Sequence, residues 1–272
     1  LSHRMPEPES SILYLVGTPI GNLNDISKRA IHILKNVSLI ACEDTRNTKN
    51  LLTSLDIKNN LISFHKHNST KRIPYLISEL KQGNSVALVS DAGTPLISDP
   101  GETLVIQARE CNLDVVTIPG PCAAITALVS SGLPTKRFTF YGFLPQKTNE
   151  KKSVLKSISE NKYSSIIYES PKRIKKLIYE LKIVCGGNRK ISIAKELTKK
   201  FELQIIQEID KAIEAFDESE PKGEYTIIVE GKKFSTRTNI EDEEIKRELL
   251  ELINAGLSHS GAANYLAKKY NK

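Results

Sequence analysis

Residues Val86 to Gly101 read VALVSDAGTPLISDPG, and the fold class turns on them. The β-branched, apolar run Val86–Val89 reads as a buried strand, and Glu102–Ile106 resumes with helical periodicity. Between them, Ser90–Gly101 holds two glycines, two prolines, two aspartates and two serines. Neither element continues through such a loop, because proline removes a backbone donor and glycine admits unusual backbone angles. A strand, a stiff loop of small residues and then a helix N-terminus is where open α/β sheets hold ligands, beyond the carboxyl ends of their strands. The loop is expected to floor a ligand site.

Outward from this loop, the first half of the chain alternates strand and helix patterns. Strands are expected at Ile12–Val16, Leu39–Cys42, Leu61–Ser63, Val86–Val89 and Val115–Ile118. Helices are expected at Ile26–Lys35, Thr48–Leu55, Ile73–Lys81, Thr103–Glu110 and Ala123–Ser130. This alternation predicts a mainly parallel sheet covered on both faces. The loops Gly17–Asn22, Glu43–Thr48, Ser90–Gly101 and Pro119–Ala123 then leave one sheet edge and converge on one cleft.

Ser131-Gly132-Leu133-Pro134-Thr135 reads as a linker. Beyond it, strands are expected at Phe138–Phe143, Ser165–Tyr168, Ile191–Ala194, Leu203–Ile206 and Tyr225–Val229, with helices at Ser153–Ser159, Ile174–Leu181 and Lys211–Phe216. The organisation is an α/β chain with an N-terminal domain over residues 12–134, a C-terminal domain over 135–231 and a helical tail over 232–272. Residues 1–11 are expected to be extended or disordered, with Leu1–Arg4 an upstream extension before Met5, the chain's only methionine. In the tail, Gly256 suits a helix C-cap and Ser258 the next N-cap, between helices at Glu243–Ile253 and Ser258–Tyr270. Its closing Lys268-Lys269-Tyr270 fits a nucleic-acid contact and a solubilising hairpin equally well.

Over 272 residues, 39% hydrophobic and 26% charged residues are the proportions of a soluble globular protein. No apolar run approaches a membrane span, and Leu1–Ser11 lacks a signal peptide's apolar core, so a cytoplasmic protein without membrane contact is expected. Cys42, Cys111, Cys122 and Cys185 are dispersed, with no CxxC and no histidine at zinc spacing. They read as reduced thiols, and no metal centre is expected. The net charge of +7 points to a polyanionic partner, and lysines crowd at Lys147–Lys156, Lys172–Lys182 and the tail. RNA and a polycarboxylated small molecule both satisfy that charge.

GTPIGN (Gly17–Asn22) lacks the lysine of a phosphate loop and the spacing of a dinucleotide fingerprint, so it reads as a stiff ligand-approach turn. Glu43-Asp44-Thr45-Arg46 places two acids and an arginine directly after a strand. One acid suffices for a helix cap, so the second acid and Arg46 point to a catalytic or orienting cluster; His65 and Asn68 follow the next strand near that rim, and Phe64–Ser69 reads first as a polar surface loop. Pro119-Gly120-Pro121-Cys122-Ala123-Ala124 opens a helix of small residues, suited to close packing or to the wall of an apolar pocket. Tyr168–Arg173, Ala194–Lys199 and Lys222–Tyr225 carry charged residues at strand ends and are nonspecific alone.

Taken in order, GTPIGNLNDIS, EDTR, LVSDAGTPLISDPG, IPGP, GFLP, YESPKR and ELTKKFE resemble the small-subunit rRNA 2′-O-ribose methyltransferase branch of the tetrapyrrole methylase superfamily. The likeness runs from about Ile12 to Gly231. It implies two α/β domains with S-adenosylmethionine in the cleft between them, a homodimer, and methylation of the P-site cytidine of 16S rRNA in the 30S subunit. It also implies that Pro19, Gly21, Asp91, Ala92, Gly93, Pro95, Pro121, Cys122 and Ala123 hold the cofactor from the first domain, with Tyr168, Ala194, Gly223 and Tyr225 closing over it from the second. Lys172 and Lys195 stand where that family commonly has histidine and arginine. Transfer to a hydroxyl needs positioning and a base, and we expect Glu43 or Asp44 to supply or orient that base while Arg46 and Lys199 grip RNA phosphates. Two alternatives stay open: a tetrapyrrole methylase, and a non-enzymatic RNA-binding assembly factor.

Overall fold

The computed structural model describes residues 7–217, 220–233 and 238–270. Strands β1 (Ile12–Val16), β2 (Leu39–Cys42), β3 (Leu61–Ser63), β4 (Val86–Val89) and β5 (Asp114–Ile118) form a sheet of order β3-β2-β4-β1-β5. Every pairing in it is parallel. The inner strands β1, β2 and β4 are buried along their whole length, which is why they read as unbroken apolar runs rather than alternating ones.

Helices α1 (Lys28–Asn36) and α2 (Thr45–Ser54) set Ile33, Leu34 and Leu52 against Tyr14, Ile40 and Ala87 on one face. Helices α3 (Ser69–Lys81) and α4 (Glu102–Glu110) set Leu76, Leu80 and Leu104 against Leu13, Ala41 and Leu88 on the other. The chain leaves β1 toward β2 and leaves the adjacent β4 toward β5, on the opposite side. Their exit loops lead to helices on opposite faces of the sheet, α1 on one and α4 on the other, and meet at the carboxyl edge where such sheets hold ligands.

Strands β6 (Phe138–Phe143), β7 (Ser164–Glu169), β8 (Lys190–Lys195), β9 (Leu203–Glu208) and β10 (Tyr225–Val229) form a second sheet of order β6-β7-β10-β8-β9. Only β6 and β7 pair in parallel; the other neighbours are antiparallel. Helices α6 (Thr148–Glu160), α7 (Ile174–Cys185) and α8 (Ile209–Asp217) cover one face. Helix α5 (Ala123–Ser130) covers the other, its Ala124, Ala127 and Leu128 packed with Ile166, Ala194 and Ile228 and with Ile20 from the loop after β1. A helix that closes the first domain in sequence thus packs on the second sheet, and its alanines allow the close approach. Residues up to Gly231 form one compact unit.

Some sequence expectations shift. Helices α2, α3 and α6 begin at Thr45, Ser69 and Thr148 rather than Thr48, Ile73 and Ser153, because a first turn needs partners for its free N–H groups and no apolar side chain; the helix expected from Glu243 begins at Thr238. Glu7–Ser11 is not an extended or disordered arm. Glu7 is 8% exposed and its carboxylate accepts from Arg29 at 2.6 and 2.7 Å, while the Glu9 N–H donates to Tyr14 Oη at 2.8 Å. Leu1–Arg4 lies outside the described residues.

Lys232–Lys272 forms a separate unit, in which α9 (Thr238–Asn254) packs with α10 (His259–Tyr270). Gly256 turns with φ +95°, and Ser258 Oγ accepts from the Gly261 N–H at 3.1 Å, as an N-cap does. Lys269 is paired with Glu248, which takes one cation from the nucleic-acid reading of this tail. Among the described residues no helix is long and apolar enough to cross a membrane.

Candidate functional site

The loops after β1 and β4 are tied at the crevice by a reciprocal pair of hydrogen bonds, Thr18 N–H to the Gly93 carbonyl at 2.9 Å and Gly93 N–H to the Thr18 carbonyl at 3.1 Å. The loop after β5 joins them, with Thr94 Oγ1 donating to the Pro121 carbonyl at 3.0 Å. Gly17 and Gly120 meet backbone to backbone: a Cβ on Gly17 would stand 2.7 Å from Gly120 Cα. No other residue fits both positions without parting β1 from β5. The second sheet reaches the same place through a bulge in β6, where Gly142, at φ +61°, brings its Cα side against Ser98 Oγ.

A cavity of about 430 Å³ opens where these segments meet. Its floor is the β4–α4 loop, where Asp91, Ala92, Gly93, Thr94, Ser98 and Asp99 line it. Cys122 and Ala123 supply one wall and Phe143, Tyr168, Ala194 and Tyr225 the other. Tyr168 is clasped edge-on by Phe140, centroids 5.1 Å apart, and lies 5.6 Å from the Phe143 ring. Eight of the residues assigned to a cofactor are therefore brought together around one space: Asp91, Ala92, Gly93, Cys122, Ala123, Tyr168, Ala194 and Tyr225. Pro19, Gly21, Pro95, Pro121 and Gly223 are not among its lining residues. Gly21 faces the β8–β9 loop, where an added Cβ would meet Lys199 Cγ at 2.3 Å, and one on Gly223 would meet the Glu196 side chain at 2.6 Å. These two glycines permit packing against the second sheet's loops.

The lining is acidic. Asp91, Asp99, Glu169 and Glu224 face the cavity with no lysine, arginine or histidine among the described lining residues. Glu169 is answered by Arg173 at 2.7 Å and Glu224 by Lys199 at 2.8 Å. Asp99 has no such cation among the described residues: burial, with Glu43 and Asp91 nearby, pushes its carboxyl up to about 6, against a partial offset from Ser90. Glu43 is likewise raised, first by burial and then by Asp91, with His65 opposing. A partly buried group of coupled carboxylates is unfavourable alone and is relieved by a cationic ligand. The space, its small-residue floor and its charge suit a compact cation with a flat apolar part.

The four residues assigned to chemistry are not equivalent. Asp44 caps α2, accepting from the Arg46 N–H at 2.8 Å, and its carboxylate is held by the Arg46 guanidinium at 2.7 and 3.1 Å. That hydrogen bonding lowers its pKa to about 2. Asp44 therefore caps α2, and its Arg46-held carboxylate is placed to orient neighbouring groups more readily than to take up a proton. Lys199 Nζ bridges Glu196 at 2.9 Å and Glu224 at 2.8 Å, so its charge is shared with the β8–β9 loop and the turn before β10. Arg46 is 87% exposed. Glu43 stands half-buried outside the cavity lining and is coupled electrostatically to Asp91.

Asp99 was missed although it lies within the opening loop. Its signal was the acid before Pro100-Gly101, at the end of a loop whose Leu96 and Ser98 also take left-handed backbone angles of +72° and +69°. Glu169 and Glu224 were missed because strand-end acids look alike until the two sheets are placed together.

Comparison with known proteins agrees with this geometry. The family model described as "Tetrapyrrole (Corrin/Porphyrin) Methylases" matches residues 12–212. A protein of Synechocystis named "Ribosomal RNA small subunit methyltransferase I" is 43% identical over 95% of this chain and 92% of its own length. One of the same name from Escherichia coli O157:H7 is 43% identical over 85% of this chain and 82% of its own. Among solved structures, a cobalt precorrin-4 methyltransferase matches with TM-score 0.59, covering 81% of this chain and 95% of that one. A uroporphyrin-III-C-methyltransferase of Thermus thermophilus matches with TM-score 0.58, covering 81% and 94%. At 15% identity both show likeness of fold alone.

Proposed function

The chain belongs to the tetrapyrrole methylase family and is a methyltransferase, and from that premise we propose that it methylates a ribose 2′-hydroxyl of small-subunit rRNA with S-adenosylmethionine as donor. The target is the P-site cytidine of 16S rRNA in the 30S subunit, and the enzyme works in the cytoplasm as a homodimer. The observation that carries the cofactor is the acidic cavity, whose unpaired Asp99 suits a sulfonium and an ammonium group. The relatives' name carries the substrate class. Phe201 and Leu203, exposed at the start of edge strand β9, support a paired assembly.

The cofactor, when bound, supplies a methyl group already activated by the positive sulfur. The protein has then to place the acceptor oxygen in line and take its proton. Asp91 and Asp99 would meet the cofactor's positive charge, Cys122 and Ala123 would admit its flat apolar part, and Tyr168 would form the opposite wall. Glu43, outside the cofactor cavity and raised by burial, takes the hydroxyl proton. Arg46, exposed and attached to the same loop, meets the RNA backbone. Positioning of this kind contributes on the order of 7–11 kcal/mol in favourable cases.

The test is methyl transfer from labelled S-adenosylmethionine to 30S subunits, set beside uroporphyrinogen, with calorimetry for the cofactor. Label in the ribose of one cytidine is expected. Label in the tetrapyrrole alone would move the chain to the branch of its structural neighbours. Absence of saturable S-adenosylmethionine binding would remove the cofactor assignment.

A further inference from the structure

Between Lys147 and Lys182 the chain carries ten basic and four acidic residues, so this one segment accounts for most of the net charge of +7. The fold gives the excess a direction. Strands β6 and β7 are parallel neighbours, and α6 and α7 follow them in the same helical layer, their apolar sides sunk in one core. Lys151 of α6 reaches Glu180 of α7 at 2.5 Å, which sets the helices side by side. Both start at the cavity rim, since Phe143 at the end of β6 and Glu169, Ser170 and Pro171 at the end of β7 all line the cavity.

The outward sides of the two helices differ from the inward ones in charge state. Lys151, Arg173 and Lys182 are spent on Glu180, Glu169 and Asp210. Lys152 and Lys156, one turn apart on α6, and Lys172 and Lys176 on the approach to and first turn of α7 are exposed, and no described residue pairs with them. Lys172 directly follows Pro171 of the cavity lining. Four cations without a described partner, three on two adjacent helices and Lys172 just before the second, therefore run outward from the mouth of an acidic cavity. A surface of that form repels the cavity's own cationic ligand and attracts a polyanion.

We propose that the ridge formed by Lys152, Lys156, Lys172 and Lys176 is the docking surface for the RNA backbone, holding phosphates on the outer helical layer while the acceptor nucleotide reaches the cavity past Phe143. This rests on the rRNA reading above and adds the surface that reading lacks. Contacts of this kind give affinity without sequence preference and release counter-ions, so they are read in the salt dependence of binding.

The experiment compares the full chain with K152Q/K156Q/K172Q/K176Q and with K35Q/K58Q/K81Q/K190Q. The second variant removes the same charge from exposed lysines at the opposite edge of the two sheets. Filter binding to 30S subunits and to a 16S rRNA transcript is measured over a salt series, and S-adenosylmethionine binding by calorimetry. Removing the ridge is expected to weaken RNA binding by roughly 10-fold or more and to lower the slope of log K against log salt by about 3. Cofactor affinity should stay as in the wild type, and the second variant should keep most of its RNA affinity. Equal losses in both variants, or none in the first, overturn the ridge while leaving the rRNA reading intact. A wild-type protein that binds S-adenosylmethionine but neither RNA overturns both.

Discussion

Tyr168 Oη accepts a hydrogen bond from the Ala124 N–H at 3.0 Å, so a side chain of the second sheet caps a helix that follows the first. Cys122, at the N-cap position of α5, makes no capping bond, and Tyr168 fills that role from across the cavity. Burial raises the Tyr168 hydroxyl above its ordinary range, so it stays protonated throughout the working range of pH. Tyr168→Phe removes the acceptor and leaves the ring. A stability loss of about 1 kcal/mol and a several-fold weaker cofactor affinity are expected, by thermal unfolding and calorimetry.

Asp99 gives a pH dependence of defined sign. Its folded pKa of about 6 lies above the ordinary 3.8, so the folded state holds the proton longer than the unfolded one. Its contribution is therefore full below the ordinary carboxylate range and is lost as pH rises toward about 6. Asp99→Asn should stabilise the cofactor-free protein above that window, on the order of 1–2 kcal/mol after solvent screening, and change little at pH 4. The same substitution should weaken S-adenosylmethionine binding. Melting curves from pH 4 to 8 showing no pH-dependent gain would contradict the assignment.

Glu43 and Asp44 are adjacent and should behave differently. Glu43→Gln is expected to lower turnover by roughly 10²–10⁴-fold with cofactor binding retained. Asp44→Ala should chiefly lower the melting temperature at neutral pH, by about 2–4 °C through the lost cap. That penalty should vanish as pH falls through about 2, where the wild-type carboxylate is itself protonated. Reversed phenotypes would return the base to Asp44.

Gly120 tests the crevice. A Cβ there would lie 2.8 Å from Gly17 Cα, and both neighbours are backbone that cannot rotate away. Gly120→Ala is expected to cost about 1–3 kcal/mol and to depress cofactor affinity by more than Tyr168→Phe does, because it parts the loops after β1 and β5. Gly83→Ala is a useful contrast: Gly83 has open space but φ +94°, so only local strain should appear, with affinity unchanged.

Much of this molecule is legible in its sequence. Strands such as Val86–Val89 and Tyr225–Val229 appear where their apolar runs place them, since burial on both faces leaves no polar position to blur the pattern. The four strand-end loops are readable for a related reason: glycine and proline interrupt both helix and strand wherever they occur. Helix starts are displaced at α2, α3 and α6 because a first turn asks for caps rather than apolar residues. The sequence by itself also showed lysines crowding at Lys147–Lys156, Lys172–Lys182 and the tail.

Only the tertiary structure decided which charges are free. Asp44 and Lys199 carry undirected charge in the sequence, and the fold sets Arg46 against the one and Glu196 and Glu224 against the other. Asp99 looks like a turn residue until burial beside Glu43 raises its proton affinity. Electrostatic energy depends on distance and on access to water, and neither is fixed by position along the chain.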